Sequence, residues 1–179
     1  MKLKREFYNR ETVKVAKSLI GKFLVRKIDR KIYAAEITET EAYAGFDDKA
    51  SHAARGKTKR NEIMFGRAGF AYVYLIYGMY YCLNIVTEKK GYPSAVLIRG
   101  LDGEGLDGSA SARRPSLDGP GKLCREFKIT KAQNGLDMTG DVLWVEDRGL
   151  ERKVVALKRV GVDYAGECKN WLWRFKRKI

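Results

Sequence analysis

The run FAYVYLIYGMYYCLNIV, from Phe70 to Val86, constrains this chain more than any other stretch. It consists of two segments rich in aromatic and β-branched residues, separated by Gly78, and a third such run, Ser94 to Leu101, follows closely. Residues of this kind suit a pleated, half-buried surface, and a glycine between two such runs marks a hairpin. If Tyr77-Gly78-Met79 forms a three-residue tip with Ile76 facing Tyr80, then Tyr74 faces Cys82 and Tyr72 faces Asn84 on the same side. Two phenols and an amide then share one face, and Tyr77 and Met79 stand at the turn. Large apolar side chains at a loop tip are costly in water unless they meet something, as the wedges of DNA-bending proteins do. The alternative is that Tyr77 folds back and caps the core.

The remaining punctuation fills in a small mixed domain. Thr12, followed by Val13, Ala16, Leu19 and Ile20 with Gly21 beyond, predicts a short helix with Thr12 as its cap. Phe23 to Ile28 and Ile32 to Tyr43 flank a polar turn and predict a hairpin with a long second strand. The polar, glycine-dotted residues from Ala44 to Gly69 predict a long surface loop, and loops of that length usually carry function. Gly100 to Gly121 is a Gly-, Ser- and Asp-rich excursion, after which a helix starts near Pro120. VLWVED and KVVALKRVG predict further strands. With 179 residues, 45% of them hydrophobic, one domain over 1–179 can bury a core. Three dispersed cysteines and a single histidine suggest neither a disulfide framework nor a zinc site, and no metal or cofactor is expected. No segment reads as a secretion signal or a membrane span, so an intracellular, non-membrane protein is expected.

Charge gives the first functional clue. There are 36 Lys and Arg against 22 Asp and Glu, a net charge of +14, which favours a polyanionic partner, most often nucleic acid. The C-terminal cluster of Arg174, Lys176, Arg177 and Lys178 around Trp171, Trp173 and Phe175 leans the same way, unless it is a last strand with a solvated basic tail. In Glu36-Ile-Thr-Glu-Thr-Glu-Ala-Tyr43, a two-residue period puts Ile37, Glu39, Glu41 and Tyr43 on one face. Two carboxylates beside an aromatic ring repel each other and are poor strand formers, which asks for a function; an edge strand facing water is the alternative. Arg99 interrupts an apolar run and needs an anion, either Glu41, a phosphate or an ordinary ion-pair partner. His52 is either a surface or core hydrogen-bonding residue or a catalyst. Asp47, Asp48, Glu39 and Glu41 could also be read as a magnesium cluster of a nuclease. A non-catalytic nucleic-acid binding module, with basic residues on phosphates and tyrosines on bases, is the third reading.

The stretches ETEAYAG at Glu39–Gly45, His52, Arg60-Asn61, Met64-Phe65, YVYLIYGMYYCLN at Tyr72–Asn84, VLIRG at Val96–Gly100, GPGKLC at Gly119–Cys124 and RVGVDYAGE at Arg159–Glu167 together resemble the alkyladenine, or 3-methyladenine, DNA glycosylases of the mammalian type. The resemblance spans nearly the whole chain. It implies a single compact α+β domain around a curved, mainly antiparallel sheet, with a protruding hairpin that inserts into DNA. It implies a monomeric, monofunctional enzyme of base excision repair acting on duplex DNA that carries alkylated or deaminated purines. Residue by residue, it makes Glu41 the base for the attacking water, assisted by Arg99. Tyr43 and His52 become one wall of the base pocket, with Tyr74 opposite and Cys82 beside it. Asn84 becomes the filter against normal guanine, and Tyr77 with Met79 the DNA wedge. The Gly100–Pro120 excursion departs from the pattern in being shorter and richer in glycine.

Overall fold

The computed structural model describes residues 1–103 and 117–178. Its strands form one antiparallel sheet. β1 (Phe23–Ile28), β2 (Lys31–Ala44), β3 (Ala71–Ile76), β4 (Tyr80–Val86), β5 (Ser94–Asp102) and β7 (Leu143–Glu146) run in the order β3-β4-β5-β2-β1-β7. The two-residue β6 (Leu117–Asp118) pairs with β5, and β9 (Arg174–Arg177) bridges β2 and β8 (Val154–Leu157). Among the described residues three α-helices accompany it, α1 (Arg5–Tyr8), α2 (Thr12–Leu19) and α3 (Pro120–Glu126). The α+β class with a curved antiparallel sheet therefore holds. Most of the Gly100–Gly121 excursion, residues 104–116, lies outside the described residues.

One face of the sheet carries the core. Val15, Ala16 and Leu19 of α2 and Leu123 and Cys124 of α3 pack with Leu24, Ile37, Ala42, Leu83, Ile85, Val96 and Ile98, all essentially closed to solvent. The 3.6-residue stripe of α2 and the two-residue stripe of the strands meet here, as the periodicities require. The start of α2 departs from expectation. Thr12 lies inside the helix rather than capping it, and its buried hydroxyl bonds Thr87 Oγ1 at 2.9 Å and Glu88 Oε1 at 2.5 Å.

β2 is the strand that organises everything else. Along one side it pairs with β5 over its whole second half, and along the other it pairs first with β1 and then with β9. Where β1 gives way to β9 the ladder is irregular. Ile37 faces Leu101, Glu39 faces Gly100 and Thr40 faces Ile98, so Thr38 and then Arg99 have no opposite residue. Bulges of this kind reverse which side chains point inward. Ile37 accordingly sits in the core, and after the bulge it is Thr40 and Ala42 that face α2, with Thr40 Oγ1 donating to Ala16 O at 2.9 Å. The expectation that Ile37, Glu39, Glu41 and Tyr43 share one face is thus corrected. A strict alternation cannot survive an inserted residue, and only Glu39, Glu41 and Tyr43 remain on the outer side.

Candidate active site

On the side of the sheet away from α2, the side chains of β2, β3, β4 and β5 line a cleft of about 560 Å³, large enough for a purine base. The hairpin register is the one expected: Tyr72 faces Asn84, Tyr74 faces Cys82 and Ile76 faces Tyr80. Tyr43, His52, Tyr72, Tyr74, Cys82, Asn84 and Arg99 all line the cleft, and Glu41 is among its lining residues although its own surface is fully buried.

Glu41 is held on both oxygens. The Val160 amide donates to Oε1 at 2.9 Å and Tyr43 Oη donates to Oε2 at 2.8 Å, while Arg99 Nε stands 3.7 Å from Oε1. Burial raises the Glu41 pKa, because a carboxylate deprived of water is costly to ionise, and Arg99, the Val160 amide and Tyr43 offset only part of that. Arg99 itself is anchored elsewhere: its Nε donates to Glu39 Oε1 at 2.9 Å. The anion that Arg99 required is thus chiefly Glu39, with Glu41 at ion-pair range.

His52 is positioned by the long loop. Asn61, almost fully buried, donates from Nδ2 to His52 O at 2.8 Å and to Gly56 O at 2.9 Å, which clasps the loop upon itself. Arg60 ties that loop to the hairpin through Leu75 O at 3.1 Å. His52 Nδ1 and Tyr72 Oη are 2.9 Å apart, and the imidazole meets the Tyr74 ring edge-on with centroids 4.5 Å apart. His52 therefore belongs to the wall formed by Tyr74, which corrects its assignment to the Tyr43 side; Tyr43 approaches the cleft from β2, a different strand. Burial, with the nearby Arg60 charge, lowers the His52 pKa, so the ring is neutral at physiological pH. Burial pushes Cys82 up to about 11 and Tyr72 up to about 12, which leaves the thiol and the phenol protonated. Asn84 donates to Tyr72 O at 3.2 Å and is itself nearly fully buried.

At the tip, Tyr77 is 87% exposed and Met79 64% exposed. The alternative in which Tyr77 folds back onto the core does not occur. Its φ of +51°, followed by Gly78 at +69°, places it in the left-handed region, where a residue with a Cβ sits at a cost of roughly 1–2 kcal/mol. A strained, solvent-exposed aromatic residue serves no packing purpose.

The pairing that backs Tyr43 could not be read from the sequence. Asp48 and Arg159 form a pair whose side chains are both completely buried, with contacts of 2.6 and 2.8 Å. The Arg159 guanidinium lies 4.8 Å from the centre of the Tyr43 ring and 5.3 Å from that of Trp173, so it braces Tyr43 from outside the cleft. The carboxylates that could have formed a magnesium cluster are thus engaged apart, Asp48 by Arg159 and Glu39 by Arg99 and Arg174. The C-terminal cations are likewise engaged: Arg177 bonds Glu36 and Asp102, and Arg174 bonds Glu39. These two arginines fasten β9 to the sheet, as the alternative of a last strand supposed. The matching spacing of Glu36 and Glu39 with Arg174 and Arg177 was the available signal.

The methylpurine-DNA glycosylase family model matches residues 6–178. The chain belongs to that family. Two relatives at 52% identity, from Methanocella arvoryzae and an Anaeromyxobacter species, bear the name of a 3-methyladenine DNA glycosylase; each alignment covers 98% of this chain, and 92% and 88% of the respective relative. A relative of the same name from Desulfitobacterium hafniense is 45% identical over 97% of this chain and 94% of its own length. These relatives are archaeal and bacterial. Family membership makes this DNA-repair protein a hydrolase of the N-glycosyl bond of the 3-methyladenine DNA glycosylase type. Among the described residues, no helix is long and apolar enough to cross a membrane.

Proposed function

We propose that this protein acts as a monomer on duplex DNA, turns an alkylated or deaminated purine into the cleft and hydrolyses its bond to the sugar with a water activated by Glu41. The substrate class comprises 3-methyladenine, 7-methylguanine, hypoxanthine and ethenoadenine, in keeping with the mammalian-type pattern of ETEAY and YVYLIYGMYYCLN. The observation that carries this reading is the Glu41 carboxylate, buried and oriented on both oxygens beside a base-sized aromatic cleft.

A base stacked in a duplex hides its glycosidic bond, and extruding it costs a few kcal/mol. Tyr77, with Met79 beside it, fills the space the nucleotide leaves. Inside the cleft the base stacks between Tyr43 on one side and Tyr74 with His52 on the other. A purine that carries positive charge after ring-nitrogen alkylation gains roughly 0.5–2 kcal/mol from those ring faces. A neutral lesion needs a hydrogen-bond donor at the leaving base, and a neutral His52 offers one N–H. Asn84, on the cleft wall, crowds the exocyclic amine of a normal guanine.

Glu41 then takes a proton from water as the water oxygen bonds to the sugar carbon C1′. The bond from C1′ to the purine nitrogen breaks and its electron pair leaves with the base, so that an abasic site remains. The carboxylate also stabilises the positive charge that develops on the sugar, as in glycoside hydrolysis, and Arg99, 3.7 Å from it, helps hold the carboxylate and meets the backbone of the flipped nucleotide. No step calls for a metal or cofactor.

Single-turnover release of hypoxanthine from a defined duplex is the test. Glu41→Gln keeps the shape and removes the base, and the rate is expected to fall roughly 10²–10⁴-fold. A fully active Glu41→Gln protein refutes the assignment of the base. A wild-type protein that releases nothing across a panel of the four lesions refutes the substrate class.

A further inference from the structure

Among the described residues, a cluster of charges on the outer side of the sheet gathers around Glu39. Its Oε1 accepts from Arg99 Nε at 2.9 Å and from Arg174 Nη1 at 3.1 Å, and Lys176 Nζ lies 3.6 Å from Oε2. The Glu39 side chain is only 8% exposed. Three cations from two strands therefore converge on one buried carboxylate, and one of them, Arg99, also stands 3.7 Å from Glu41.

The backbone is shaped for this meeting. The β2 bulge leaves Arg99 unopposed and sets Glu39 across from Gly100. A Cβ on Gly100 would lie 3.0 Å from both Glu39 Cβ and Thr38 Oγ1, so any larger residue there displaces Glu39. An irregularity that gives up ladder hydrogen bonds and re-aims side chains beside a cleft is a functional feature more often than a defect.

We propose that Glu39, backed by Arg174 and Lys176, is a positioning residue that holds Arg99 at a set distance from Glu41 and thereby limits how much of its charge Arg99 lends to that carboxylate. The inference rests on the reading of Glu41 as the base. Arg99 has one Nε–H, and Glu39 receives it. At 3.7 Å Glu41 keeps an ion-pair contact without that hydrogen bond. A guanidinium bonded fully to Glu41 would make it a weaker base, because a close opposite charge favours the ionised form.

The other groups facing Glu41 among the described residues are Tyr43 on β2, the Val160 amide, and Tyr74 and Cys82 from the hairpin. None of these competes for Arg99 Nε. Removing the Glu39 charge frees Arg99 to close on Glu41 and also deletes a neighbouring anion, and both changes act in the same direction. Removing a cation from behind Glu39 acts in the opposite direction, since Glu39 then draws Arg99 more strongly.

The experiment is the pH profile of single-turnover hypoxanthine release by wild type, Glu39→Gln, Lys176→Gln and Glu41→Gln. In Glu39→Gln the midpoint of the acid limb is expected to move down by roughly half a pH unit, and the plateau to fall several-fold. Lys176→Gln, a near-isosteric change at a half-buried position, is expected to move the midpoint upward by a smaller amount. In an Arg99→Gln background, Glu39→Gln should lose most of its effect on the midpoint.

A folded Glu39→Gln protein with an unmoved midpoint, or a Lys176→Gln midpoint that moves down, overturns the inference. So does a full shift that persists without Arg99, because Glu39 would then act on Glu41 directly. If Glu39→Gln fails to fold, Lys176→Gln decides alone, and an unmoved midpoint there also counts against the proposal. An active Glu41→Gln protein instead removes the underlying reading of the base, so the two failures are distinguishable.

Discussion

Glu36 and Glu41 lie on the same strand, on either side of the β2 bulge, and neither has appreciable contact with water. Their carboxyl groups nevertheless shift in opposite directions. For Glu36, burial alone would raise the pKa, but Arg152 and Arg177 together outweigh it and hold the group below the ordinary carboxylate range. For Glu41, burial prevails over one distant guanidinium, one amide and one phenol, and the pKa rises. The contrast follows from partner count and geometry: Arg152 grips both Glu36 oxygens at 2.8 and 2.9 Å, whereas Arg99 reaches Glu41 only at 3.7 Å. A carboxylate satisfied in this way fastens strands together. One left short of cations keeps its appetite for a proton, which is what a general base needs.

The sharpest way to break this contrast is to neutralise each carboxyl in turn and measure base release. Glu41→Gln is expected to lose the 10²–10⁴-fold given above, whereas Glu36→Gln should stay within about threefold of wild type. Comparable losses in both would mean that the two carboxyls do the same work. Stability should show the reverse order. Chemical denaturation at neutral pH is expected to find Glu36→Gln less stable by about 1–2 kcal/mol, a modest figure because its arginine partners are partly open to solvent. Glu41→Gln should match or exceed wild-type stability; a loss larger than that of Glu36→Gln would contradict the difference in pKa.

Tyr77→Ala offers a control from a third region. It should weaken flipping roughly tenfold, read by stopped-flow fluorescence of a reporter base, while leaving the stability and acid limb of the enzyme where they were. An unchanged flipping equilibrium removes Tyr77 from the wedge.

Titration separates the two glutamates most finely. Glu36 has a depressed pKa, so its stabilisation is fully present above the unfolded value near 4.5 and is lost as pH falls through the lower folded value. Glu41 has a raised pKa, so its ionisation costs stability progressively as pH rises from that same reference through the higher folded value. Denaturation midpoints measured against pH should therefore show both variants converging on wild type in acid, Glu36→Gln from below and Glu41→Gln from above. Convergence from the same side would show that one of the two directions is misassigned.

How much of this was legible in the sequence depends on the range of the interactions concerned. The β3–β4 hairpin was readable down to its register because a turn residue and a two-residue period fix it within one short window. Its outward-facing pairs of residues followed directly. The β2 bulge was not readable, since strand period carries no sign of an inserted residue and the only trace, Gly100, lies on another strand. The engagement of Arg174 with Glu39 and of Arg159 with Asp48 joins segments far apart in the chain, and only the folded sheet brings them together. Similarly, the placement of His52 depends on the Asn61 clasp, a closure of the loop that residue spacing does not encode. Thr12 had the chemistry of a cap but found better partners in Thr87 and Glu88.

The bond from Tyr43 Oη to Glu41 joins two things usually discussed separately. In the proposed mechanism, the ring that feels the shape of the guest is the same group that steadies the proton acceptor, and Arg159 stands behind it. On that reading, a visitor that forces the ring aside slackens its hold on the acid beneath, so poor fit and sluggish chemistry arrive together.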